Sequence, residues 1–314
     1  MEKALVLGAS GGMGSSIVKE LAQRGIDTIA FARGKEKLDK LFQNEEKVTI
    51  WPGDIFELEN LKKAASGVDV VFHAMNIPYP EWEGKLPVLV KNIIEASKDA
   101  NAKLVLVDNI YAYGRNPGTL VTEETPKNPH TKKGKIRLQL EAMVKNSNVP
   151  YIIAHFPDFY GPNATNTILN YTFEGVIKNK RSMFVGDLKV AREYIFTPDG
   201  AKALVELALM ESAYGQNWNI PGSGVITGDE IIAILREHTG YNKKVGTVTK
   251  GMVKFLGMFD KMMREVVEML YLTEDPIVLN GAKLEQAIKT IPRTPYKEGI
   301  KQTIDYMRNN LGRS

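Results

Sequence analysis

Three glycines, Gly8, Gly11 and Gly14, recur at every third residue of LGASGGMGSS, between an apolar run ending at Leu7 and the amphipathic stretch IVKELAQRG. Bare backbone at a strand-to-helix junction suits phosphate chemistry. Glycines permit a tight turn, let backbone N–H groups approach a pyrophosphate, and bring helix and strand close together. A helix starting near Met13 would point unpaired N–H donors and its positive dipole end at the phosphates. Gly8, Ser10, Gly11, Gly12, Met13 and Gly14 are therefore expected to cradle a dinucleotide; a purely structural turn is the alternative.

A second apolar run, TIAFA from Thr28, ends at Arg33, with Lys35 and Lys37 just beyond. An acid roughly 20 residues past the glycines would bond a ribose 2′-hydroxyl. An arginine instead offers a planar fork matched to a 2′-phosphate. NADP(H) is the preferred cofactor on this reading and NAD(H) the second choice, although a solvated surface arginine also fits Arg33. Other reactive types offer less. The 314 residues include no cysteine, which excludes disulfides, thiolate metal sites and a cysteine nucleophile. Four histidines without metal-ligand spacing give no metal site, and His73 at the end of an apolar run reads as core.

The elements that would hold these residues alternate. Short apolar runs lie near Leu5, Thr28, Val48, Val68, Lys103 and Tyr151, separated by helical patterns at Ile17–Leu21, Leu58–Ala65, Leu86–Ala100 and Ile136–Val144. Runs apolar throughout are buried on both faces, as in a parallel sheet covered by helices. That is the rhythm of a doubly wound α/β fold. Beyond Pro162 the rhythm weakens to a strand–helix pair, the stretch NWNIP and a helix-rich end, in which Thr227 and Glu230 have capping-box spacing. Basic residues exceed acidic ones by only four, 41 against 37, and read as evenly spread, so nucleic acid is not an expected partner. No run approaches the roughly 18 apolar residues of a membrane span, and EKALVLG lacks a signal peptide's pattern. The expectation is a cytoplasmic protein without a membrane partner, monomeric or homodimeric.

The glycine spacing, GxxGxxG, joins four further segments: PGDIFELENLKKAASGVDVVFHAM, NIYAYG, HFPDFYGPNA and TPYKEGIKQTIDYMR. Together they resemble the extended, epimerase/dehydratase-like branch of the short-chain dehydrogenase/reductase superfamily, over nearly the whole chain. The resemblance implies that Asp54 holds the adenine amino group, that Ile55 covers its ring, and that Ala74 and Met75 line the cofactor ribose. It also implies a Ser, a Tyr and a Lys four residues after the Tyr. Those positions fall on Asn109, Lys133 and Arg137, and no tyrosine in the chain has a lysine four residues on.

The replacements differ in consequence. Asn109 can still donate a hydrogen bond to a carbonyl oxygen, and Arg137 can still bond the ribose. Lys133 would serve as proton donor only if burial or Arg137 tuned it. It could instead grip an anionic substrate or simply be solvated. Tyr111 is a second proton source or a core residue. Tyr111 and Arg115 copy the spacing only in letters, since Gly114 and Asn-Pro-Gly mark a loop. His155 stands at a family arginine that is mainly structural, and Asp158 and Tyr160 fall where the family meets nicotinamide and substrate.

The expected division is a Rossmann domain over 1–165, joined by about 190–222, with a mainly helical capping part from 166–189 and 223–314. Phe255, Met258, Phe259, Met262 and Met263 recur at helical steps and read mostly as core packing, with some scope for a partly apolar small-molecule substrate. Three functions remain open: an NADPH-dependent reductase of a small carbonyl or enone, a non-catalytic NADP(H)-binding redox regulator, and a sugar-nucleotide epimerase or dehydratase.

Overall fold

A computed structural model describes residues 1–310. The first six strands are β1 (Lys3–Leu7), β2 (Asp27–Ala32), β3 (Val48–Pro52), β4 (Val70–His73), β5 (Lys103–Asn109) and β6 (Tyr151–Phe156). They are followed by β7 (Asp158–Tyr160), β8 (Met183–Val185), β9 (Arg192–Phe196), β10 (Gln216–Asn219), β11 (Val225–Ile226) and β12 (Gly246–Val248). Helices α1 (Gly12–Gln23), α2 (Lys35–Phe42), α3 (Leu58–Ala65), α4 (Trp82–Asp99) and α5 (Lys132–Lys145) separate the first six strands. Later come α6 (Ile168–Ile177), α7 (Thr197–Leu209), α8 (Gly228–Thr239), α9 (Lys250–Leu256) and α10 (Lys261–Val266), and a closing helix spans Tyr296–Asn310.

Seven parallel strands form one sheet in the order β10-β6-β5-β4-β1-β2-β3. Strand order reverses between β1 and β4, and at such a switch point the chain ends diverge and open a crevice for a ligand. Successive side chains point to opposite faces, and both faces are covered. Ala4 and Val6 pack toward α1, α2 and α7 with Ile17, Leu38 and Leu204. Leu5 and Leu7 pack toward α3, α4 and α5 with Leu61, Leu89 and Leu140. The doubly wound α/β fold read from the apolar runs is the one observed.

Strand β9 does not join this sheet. It pairs with β7 in parallel and β11 antiparallel, while α7 returns to pack on α1 and β10 takes the sheet's edge. A third apolar cluster, including Phe173, Phe184, Leu235 and Ile300, lies beneath α6, α8 and the closing helix. Thr227 and Glu230 do form a reciprocal capping box at the start of α8.

The aromatic and methionine residues of α9 and α10 correct the sequence reading. Helical spacing made them look like core, yet Phe255, Met258 and Phe259 are 61%, 60% and 80% exposed. Periodicity reports that one face is apolar, not that another element covers it. Here Val253 alone turns inward from α9.

Candidate cofactor and active site

The glycine turn closes at the C-terminal end of β1. Gly8 adopts φ +82°, and a Cβ there would lie 2.8 Å from the Ala74 carbonyl oxygen. Both facts require glycine. A Cβ on Gly14 would drive into the Gly8 carbonyl, so the third glycine lets α1 approach the strand. A Cβ on Gly11 would meet only the Gly8 oxygen, at 3.4 Å, leaving that side of the turn open. No side chain caps α1 at Gly11, so its first-turn N–H groups are available to an anion.

One residue that the sequence reading left out secures this turn. Asn163, held at φ +60°, donates its side-chain amide to the Ser10 carbonyl at 3.1 Å, the Gly11 carbonyl at 3.4 Å and Ser15 Oγ at 3.1 Å. Ala164 lies against Gly12, where a Cβ would come within 2.7 Å of its Cα. Asn163 closes the segment YGPN already quoted for its resemblance, and a buried amide there was the available signal.

The remaining cofactor candidates ring the same strand ends. Arg33 is exposed, one residue past β2 and two before α2. Asp54 is half-buried beyond β3 and accepts the Phe56 N–H at 3.0 Å through Oδ1. Ile55 is buried, while Ala74 and Met75 follow β4 directly beside Gly8. His73 accepts the Met75 N–H at Nδ1, 3.3 Å away. Burial, with the Arg137 charge adding to it, lowers the His73 pKa to about 3, so the ring is neutral.

At the end of β5 the substituted triad comes together on two elements. Asn109 Oδ1 accepts the Tyr111 N–H at 3.0 Å, which leaves the amide's NH2 as its donor. Arg137, on α5, lies over the Trp82 ring at 4.4 Å. Its Nη1 pairs with Asp108 at 3.3 Å and its Nη2 reaches Asn76 Oδ1 at 3.4 Å. Its Nε is buried without a partner among the described residues, and such an orphan donor calls for an acceptor from outside the chain. The open Gly11 side, the uncapped helix start and this donor all fit a dinucleotide with a ribose at Arg137.

Lys133 lies one turn before Arg137, and its side chain is only 1% exposed. Its neighbours are carboxylates rather than a lone cation. Glu265 of α10 bonds its ammonium, and Glu268 does so at 2.9 Å. Glu268 also accepts the Lys132 N–H at 2.8 Å and the Lys133 N–H at 3.3 Å, as an anion does at a helix N-terminus. These acids come from more than 130 residues downstream, and no local pattern announces them.

Tyr111 finds a partner of its own kind. Its hydroxyl lies 2.8 Å from that of Tyr79. Trp82 packs edge-on to Tyr79 at 4.9 Å and stacks on Tyr111 at 6.3 Å with the rings inclined by 28°, and Lys133 Nζ sits 5.5 Å over the Tyr79 ring. Burial pushes Tyr79 up to about 12 and Tyr111 well above the ordinary phenol value. Burial also raises Asp158, on β7, against the opposing charge of Arg192.

Behind the cleft, His155 joins a closed ionic cluster. Its Nε2 is 3.0 Å from Glu141 Oε1 and 2.9 Å from Lys127 Nζ, and Lys127 also bonds Glu141. Burial alone would raise the Glu141 carboxyl, but His155 and Lys127 hold it well below its ordinary value. Asp108, Glu141 and His155 bring ligand atoms within 4.8 Å of one another. The Lys127 ammonium, bonded to two of the three, already supplies the cation there.

Comparison with known proteins agrees with this fold. A family model described as NAD(P)H-binding matches residues 8–183. The chain is 24% identical over 270 residues to the photosystem II assembly factor Ycf39 of Synechocystis, covering 83% of this chain and 75% of that one. It is likewise 24% identical over 332 residues to a putative UDP-glucose 4-epimerase of Methanocaldococcus jannaschii, covering 98% of each. A dTDP-glucose 4,6-dehydratase from Bacillus anthracis, solved with NAD, superposes with a TM-score of 0.79 at 18% identity, covering 99% of this chain and 98% of that one.

Proposed function

The chain belongs to an NAD(P)H-binding family, and on that premise we propose that it is an epimerase/dehydratase-like short-chain dehydrogenase/reductase acting as an NADPH-dependent reductase of a small carbonyl or enone. The observation that supports this reading is the Tyr79–Tyr111 hydroxyl pair, 2.8 Å apart, with Lys133, which stands at the family's tyrosine position, 5.5 Å over the Tyr79 ring. The bound cofactor would supply hydride. The chain's own residues would do the rest.

The turn Gly8–Gly14 and the start of α1 would hold the diphosphate, with Asp54 and Ile55 at the adenine, Arg33 at the 2′-phosphate, and Ala74, Met75 and Arg137 along the second ribose. Asn109 NH2 would polarise the substrate carbonyl. Tyr111 would give its proton to the oxyanion and take one back from Tyr79, whose own proton solvent would replace once product leaves. A phenol with a raised pKa keeps its proton at neutral pH and yields it only to a strong base, which limits proton loss without substrate. Titrating NADPH and NADH by intrinsic fluorescence tests the cofactor assignment. NADPH should bind more tightly, and Arg33→Ala should erase about 10- to 100-fold of that preference, the loss of a charge-assisted pair. Equal affinities would remove Arg33 from the site.

The bonds from Glu265 and Glu268 to Lys133 favour a second reading, a redox regulator, because they close the strap α9–α10 over α5. A regulator would change the protection of that strap between NADPH and NADP+ while consuming neither. Sugar-nucleotide epimerase or dehydratase activity ranks below both, since its proton shuttle relies on the tyrosine that Lys133 replaces.

A further inference from the structure

The segment from α9 into α10 exposes six large apolar side chains within eleven residues: Met252, Phe255, Leu256, Met258, Phe259 and Met262. Phe255 and Phe259 pack edge-on with ring centres 5.7 Å apart. Chains in water seldom expose so many large apolar side chains on one short segment without a partner. The strap's opposite face is fastened to the body. Val253 is buried, Arg264 Nε donates to the Gly257 carbonyl at 3.0 Å, and Glu265 and Glu268 hold Lys133. Turning the aromatic rings inward would break those bonds.

Charge identifies the partner. From α9 through α10 (250–266) the strap holds four basic side chains (Lys250, Lys254, Lys261 and Arg264) against two acids, Asp260 and Glu265, and Glu265 is taken up by Lys133 on the side fastened to the body. A net cationic rim, with Lys254 and Lys261 exposed, thus borders the apolar side chains. A second copy of this chain fits poorly, because an isologous contact sets each cationic rim against itself.

We infer that the α9–α10 strap docks this protein on an anionic membrane surface. The phenylalanines, leucine and methionines would enter the headgroup boundary while the surrounding lysines meet lipid phosphates. No helix among the described residues is long and apolar enough to cross a membrane, so the contact is peripheral. This inference does not depend on the reductase reading.

Co-sedimentation of the full chain with two vesicle preparations tests it: phosphatidylcholine alone, and phosphatidylcholine with one third phosphatidylglycerol. The protein should pellet with the second and stay in solution with the first. Phe255→Ser with Phe259→Ser should lower partitioning about 100-fold. Lys254→Gln with Lys261→Gln should lower it about 25-fold, from about fivefold per lysine at an anionic surface. All four side chains are exposed, so both double variants should keep the parent's circular dichroism and NADPH affinity. Failure of the parent to pellet with phosphatidylglycerol vesicles would overturn the inference. So would equal pelleting of the phenylalanine variant, or a lipid-free dimer that this variant dissociates.

Discussion

Replacing Lys133 with methionine removes the ammonium that ties α5 to the strap while keeping a side chain of similar reach. Lys133 is 1% exposed, and its partners Glu265 and Glu268 are 24% and 28% exposed. A hydrogen bond to a charged group contributes about 1.5–3 kcal/mol. Two such bonds are lost, but both carboxylates can regain water, and Glu268 keeps the Lys132 N–H. A net loss of about 2 kcal/mol follows. At roughly 2–4 °C per kcal/mol for a chain of this size, Tm should fall by about 4–8 °C. Because the bonds are local, amide exchange across α9 and α10 should rise about 30-fold, the same energy expressed as an opening equilibrium. NADPH affinity should stay within about threefold of the parent, and turnover within about tenfold, if Tyr111 is the acid. Unchanged Tm and unchanged exchange would refute the latch. A turnover loss of about 10²–10⁴ with the strap still protected would make Lys133 the proton donor instead.

Further perturbations probe the cofactor turn and the ionic cluster. Asn163→Ala removes three contacts to the glycine turn and should weaken NADPH binding about tenfold by fluorescence titration; an unchanged affinity would deny Asn163 that role. Glu141, held below its ordinary value, contributes stability that is present above about pH 4.5 and is lost as pH falls toward its folded pKa. Glu141→Gln should cost about 3–5 kcal/mol in urea unfolding at pH 7, since Lys127 loses its counter-charge. That difference should shrink steadily in acid, and a gap that held constant to low pH would contradict the assignment.

What the sequence disclosed, and what it withheld, follows from the range of each interaction. The glycine turn and the first six strands are local: Gly8, Gly11 and Gly14 lie within seven residues, and the apolar runs declare their own burial except at Val48, whose strand β3 lies at the sheet's edge with no fully buried residue. Strand β10 was harder to place, because Gln216 and Asn217 at the sheet's edge break the apolar pattern. Strand β9 is fully buried and reads like a sheet strand, yet it belongs to a separate three-stranded sheet, a choice made by its partners β7 and β11. The surroundings of Lys133 could not be read at all, because Glu265 and Glu268 arrive through tertiary folding. Phe255 and Phe259 misled for a related reason. An amphipathic period is the same whether the apolar face meets a core or is left open.

The reductase account stands or falls on the proton from Tyr111. Tyr111→Phe removes one hydroxyl, and with it the bond to Tyr79, without touching any residue assigned to NADPH. With the first aldehyde, ketone or enone found to oxidise bound NADPH, single-turnover decay of the nicotinamide absorbance should be measured for parent and variant. The account predicts a rate about 10²–10⁴-fold lower in the variant at nearly equal NADPH affinity, the scale of a lost general acid. A variant that turns over at the parent's rate would contradict it.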